Sequence, residues 1–161
     1  MMKTELVSQY KNALRMLANA IEICHEKLWD DTVNYENAYW RIVYHTLFYT
    51  ALYLAEDANH FTRWEKHEPN YNRLGQLTDD GEPITITIRY SKAELSGYLQ
   101  SIVLKLDENI DEHNFTAPSG FYWLPMNKLE LYLYNLRHIQ HHTGQLVERL
   151  HGNGVTGVAW Y

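Results

Sequence analysis

The sequence has a single cysteine, Cys24, among 161 residues. No disulfide can form within the chain, which excludes a small disulfide-stapled architecture. Lys and Arg are scattered without a basic cluster, and the formal net charge is −6. That balance repels duplex nucleic acid and anionic membrane surfaces, so neither is an expected partner. Internal repeats and low-complexity tracts are absent, which leaves out solenoids and biased linkers. The opening residues MMKTELVSQYKNAL contain no apolar run and no small-residue cleavage pattern, so no secretory leader is expected. With one cysteine, the expected setting is the reducing cytoplasm. The apolar stretch 38–55 approaches the length of a bilayer span. It carries Arg41 and His45, which are expensive in lipid, and it reads as a buried helix of a soluble protein.

Hydrophobic residues make up 45% of the chain and charged residues 21%, a globular balance with enough apolar surface for one core. One domain over 1–161 is expected, and four helical segments give it an all-α class. The first covers 5–29, where Leu6, Tyr10, Leu14, Leu17, Ile21, Cys24 and Leu28 recur every three or four residues. The second covers 35–57 with Asn34 as its N-cap and is apolar nearly all round. Tyr39, Trp40, Val43, Tyr44, Leu47, Phe48, Ala51 and Leu54 span most of its circumference, more than one core covers. A twofold homodimer on this helix is therefore expected, with a covering role for 59–90 as the alternative.

Residues 59–90 hold Pro69, Gly75, Gly81 and Pro83 and form a long connection between the second and third helices. Within it, 84–88 alternates as a short extended segment. Ser91 and Glu94 form a capping box that starts the third helix, whose stripe runs to Ile110. The fourth covers 125–151, opened by Pro125 and closed by Gly152. The apolar tail Val158, Ala159, Trp160 and Tyr161 is expected to pack back onto the protein.

Nine histidines are present. His25, His60, His67, His113 and His151 lie in polar surroundings or near helix ends, where a surface position is the ordinary reading. His138 and His142 differ: at about 100° per residue they fall about 40° apart, one turn along the same helical face. Two imidazoles so placed converge on one ion, whereas His141 points off that face. His45 sits mid-helix in the most apolar stretch, where an unpartnered imidazole is unfavourable. Three imidazoles from two helices make a divalent-metal site with an open coordination position.

A lone His in an apolar second helix, followed by His138-x-x-x-His142 and then Gly144-Gln145-Leu146, resembles the DinB/YfiT-like superfamily. The resemblance extends over nearly the whole chain, through helix order, the long crossover and length. It implies an up-down-down-up four-helix bundle, commonly dimeric, with nickel, zinc or a similar ion on the three histidines. Members with assigned activity include transferases using bacillithiol or mycothiol and a thiol-dependent maleylpyruvate isomerase. A low-molecular-weight thiol is thus an implied cosubstrate. This chain departs from common members at Thr143, where many have Arg, and at Arg137, where Asn is frequent. Those departures spare the ligands and bear on the substrate.

Two classes of function follow. The first is a metal-dependent transferase or hydrolase acting on a small molecule. The second is a non-catalytic dimeric module with a structural metal or none. Arg41 and Tyr49 lie one turn to either side of His45, and Tyr134 one turn before His138, so these three are the nominated contacts to ligands or substrate. A structural ion pair for Arg41 and packing for Tyr134 are the competing roles. Cys24 falls on an apolar stripe and reads as an inert core cysteine.

Overall fold

A computed structural model describes residues 2–161. It is all-helical: α1 (Met2–Ile23), α2 (Glu26–Trp29), α3 (Tyr39–Leu54), α4 (Lys92–Leu104), α5 (Leu106–Asn109) and α6 (Lys128–Gly152). A 3-10 turn at Glu112–Asn114 follows α5. No strand occurs among the described residues; the expected extended segment at 84–88 is coil, and the nearest pairing is an isolated bridge between Leu77 and Pro83.

The amphipathic stripe of the first segment is real but not continuous. The helix breaks at Cys24 and His25 and restarts as α2, while Leu28 and Trp29 stay buried. Lys92 Nζ donates to the freed Cys24 carbonyl, which gives the break a partner from α4. α3 begins four residues later than expected. Asn34 does not cap it: its side-chain amide and its backbone N–H both bond the Asp31 carboxylate, which forms a separate turn. α6 likewise starts after Pro125, at the Asn127 cap, whose side chain accepts from the Glu130 N–H at 2.8 Å. The capping box at Ser91 and Glu94 forms as its sequence dictates.

α1 and α3 each pack against both α4 and α6. α1 seals this arrangement with Leu14, Leu17 and Ala20, all fully buried. Two buried tyrosines are anchored at their polar tips: Tyr10 donates to the Tyr132 carbonyl at 2.9 Å, and Tyr39 to the Ala20 carbonyl at 3.2 Å. Thr46 and Thr50 donate to the carbonyls of Ile42 and Thr46, one turn back, and so are buried without an unpaired hydroxyl.

The segment 59–90 covers the surplus apolar surface of α3 within the same chain. Trp40 packs on Tyr71 and Tyr90, Tyr44 on Trp64 and Tyr90, and Phe48 on Phe61. His67, expected at the surface, is half-buried, stacks on Phe48 and shares a hydrogen bond of 2.7 Å between its Nδ1 and the Tyr44 hydroxyl. The covering role thus falls to the connection. The tail lies along α1, with Ala159 N–H donating to Asn19 and Arg15 stacked over Tyr161, but Trp160 is 84% exposed. Among the described residues, no helix is long and apolar enough to cross a membrane.

Candidate metal centre

α3 is the most enclosed helix. Its residues are buried except for His45, Tyr49 and Ala51. His45 and Tyr49 are one turn apart, so the surface α3 retains on that side is the surface of these two rings. α6 faces it with His138 and His142, also one turn apart.

The three histidines meet. Their ligand atoms all lie within 4.8 Å of one another, and this is the group of three or more His, Cys, Asp or Glu donors found among the described residues. The Nε2 atoms of His45 and His138 are 3.1 Å apart. The ring of His142 stands edge-on to both others, with centroids 4.6 Å away in each case. His141 touches His142 but is exposed and outside the group, as its angular position on α6 predicts.

Two of the rings have their tautomer fixed. His45 Nδ1 lies 2.6 Å from the Asn72 carbonyl, which can only accept, so Nδ1 carries the proton and Nε2 the lone pair. His142 Nδ1 donates to Gln145 Oε1 at 3.1 Å with the same consequence. These are the outer contacts that orient metal-binding imidazoles. His138 Nδ1 is buried with no partner.

Burial lowers the basicity of all three. It pushes the His45 pKa down to about 4 and the His138 pKa to about 3, aided by the neighbouring histidines and, for His45, by the Arg41 charge. His142 is lowered as well, mainly by burial. The rings are therefore neutral at physiological pH, the state that ligates.

The residues fit a divalent ion. With Nδ1 of His45 protonated, its Nε2 lone pair faces His138 Nε2. A proton on His138 Nε2 would satisfy that contact but strand a buried Nδ1 lone pair. A cation between the two nitrogens resolves the facing lone pairs instead. At metal–nitrogen distances of about 2.0–2.1 Å, nitrogens 3.1 Å apart subtend roughly 100° at the ion, close to a tetrahedral angle.

The nominated neighbours are placed differently from one another. The Tyr49 ring packs tilted against His45 at 4.8 Å and edge-on to His138 at 5.7 Å between centroids, and its hydroxyl accepts from Asn72 Nδ2 at 3.3 Å. Arg41 is buried and makes no side-chain ion pair among the described residues; its Nη2 donates to the carbonyls of Arg73 at 2.6 Å and Gly75 at 3.3 Å. Tyr134 packs on Tyr53, which in turn packs on Tyr49, and the Arg137 guanidinium lies over its ring. Thr143 is fully buried and Arg137 exposed, and neither belongs to the group of three converging histidines. Cys24 is buried and burial pushes its thiol up to about 12, the behaviour of an inert cysteine.

Sequence reasoning missed Asn72. A backbone carbonyl leaves no signature in residue type, and only the path of the connection brings it to His45. Gln145 had a signal, since it lies three residues after His142 on the same helical face. A cavity of about 850 Å³ opens elsewhere, between the segment 55–66 and α4, and none of the three histidines lines it. No family model, no curated protein and no solved structure matches the chain.

Proposed function

We propose that this protein is a divalent-metal-dependent enzyme of the DinB/YfiT-like type, built as an up-down-down-up four-helix bundle, with His45, His138 and His142 holding one nickel or zinc ion. The observation that carries this reading is the convergence of three neutral imidazoles within 4.8 Å, two of them oriented by hydrogen bonds at Nδ1. When bound, such an ion supplies an open coordination position where a thiol or a water loses its proton near neutral pH.

The chain's own groups set the conditions for that chemistry. Burial keeps the three rings unprotonated. The Asn72 carbonyl and Gln145 hold Nε2 of His45 and His142 toward the centre. Tyr49 walls one side with an apolar ring that limits water. The donor set stops at three among the described residues, and His45 and His138 keep part of their surface. Both features favour an enzyme over a sealed structural metal. Thiol-dependent S-transfer to a small electrophile is the reaction proposed, and hydrolysis is the alternative at the same position.

Elemental analysis of protein purified without a His-tag tests the metal, with about one equivalent of nickel or zinc per chain as the expected result. Loss of a low-molecular-weight thiol against an electrophile panel then separates the two chemistries. Metal-dependent thiol consumption supports transfer, and product formation without thiol supports hydrolysis.

A further inference from the structure

Each residue of the segment 72–75 is fastened to α3 or to the turn just before it. Asn72 contributes its carbonyl to His45 Nδ1 and its side-chain amide to the Tyr49 hydroxyl. The Arg73 carbonyl accepts from Arg41 Nη2. The Leu74 carbonyl accepts from Asn37 Nδ2 at 2.9 Å, and Arg41 Nη2 reaches the Gly75 carbonyl as well. The result is a strap laid along one face of α3, with its last contact on a metal-binding ring.

We infer that Arg41 is a positioning residue for the metal centre and acts through this strap. It rests on the metal reading given above. A buried guanidinium is an unfavourable group to retain unless its donors are used. Arg41 spends its Nη2 on two backbone carbonyls within three residues of Asn72, while its buried Nε has no hydrogen-bond partner and no carboxylate among the described residues pairs with it. Its place one turn before His45 sets the strap in register with the ring. Loosening the strap withdraws the Asn72 acceptor, and His45 is then free to turn or to carry its proton on Nε2, where it cannot ligate. Outer contacts of this kind typically change metal affinity by about 10–100-fold. By linkage, metal bound to His45 protects the strap as strongly as the strap favours the metal.

The experiment uses the full chain, with zinc as the probe and a competing chelator to set the free concentration. Zinc affinity is measured for wild type, Arg41→Met, Asn37→Ala and Lys66→Ala, below their unfolding transitions. Asn37→Ala removes a second strap anchor without touching Arg41. Lys66→Ala breaks the Lys66–Glu94 pair, which ties the same connection elsewhere. The expected result is a loss of about tenfold in affinity for Arg41→Met and Asn37→Ala, and none for Lys66→Ala. Hydrogen exchange in 70–76 of the wild type should slow on adding zinc. Wild-type affinity in both strap variants overturns the inference while leaving the metal reading intact, and so does equal weakening in all three. A wild type that binds no zinc overturns the metal reading, and the inference with it.

Discussion

Acid should destabilise the metal-free protein through its buried histidines. The His45 pKa lies at about 4 and that of His138 at about 3 in the folded chain, chiefly because burial disfavours the charged rings. In the unfolded chain both return to about 6.5. The folded values are the lower ones, so as pH falls the unfolded state takes up protons that the native state refuses. Stability is therefore full above about pH 6.5 and is lost as pH falls toward 4 and then 3. At pH 5, about 1.5 units below the unfolded pKa, each ring accounts for a loss of about 1–2 kcal/mol, or about 2–4 kcal/mol for the pair. Urea denaturation of chelator-treated protein at pH 7 and pH 5 measures it. Carboxylates elsewhere titrate equally in a His45→Asn/His138→Asn variant, so the comparison isolates the two rings. The wild type should lose about 2–4 kcal/mol more than the variant between the two pH values. Equal losses would refute the claim that these imidazoles are held neutral.

Two further outcomes concern the scaffold that carries α6 to the site. Lys128 is buried at the start of α6 and donates to the carbonyls of Ala55, Glu56 and Ser119, tying it to the end of α3. Lys128→Met leaves those acceptors unpaired and should lower stability by about 2–4 kcal/mol in chemical denaturation. A change within experimental error would show that the three bonds contribute nothing net. Gly120 has φ +87°, and a Cβ there would run into the Glu56 carbonyl oxygen and sit 2.9 Å from Asp57 Cβ. Gly120→Ala should cost about 2 kcal/mol or more, whereas Gly97→Ala, which meets nothing within 4 Å, should not destabilise its helix.

How much of this was legible in the residues depends on the kind of signal. The apolar repeat of α1 was readable because burial imposes it, but the break at Cys24 was not, since Leu28 keeps the same stripe on both sides of it. The start of α6 was misplaced because Pro125 is a helix-opening residue. Asn127 and Glu130, a cap and its first-turn acid, carry the stronger signal, and they mark the true boundary. The excess apolar surface of α3 was read correctly as surface needing cover. Pattern alone cannot say whether a neighbouring chain or the chain's own connection provides it, and the aromatic residues Phe61, Trp64, Tyr71 and Tyr90 scattered through 59–90 were the clue to the second. The His138/His142 pair follows from helical geometry. Its meeting with His45, 93 residues earlier, is a tertiary fact that composition only suggests.

The central claim is that three histidines form one ion site, and its most direct measurement is the stoichiometry of zinc binding by calorimetric titration of chelator-stripped protein. The wild type should take up one zinc per chain, and His142→Ala should show no stoichiometric binding while keeping its helical circular-dichroism spectrum. One equivalent bound by a folded His142→Ala variant, or none by the wild type, would contradict it.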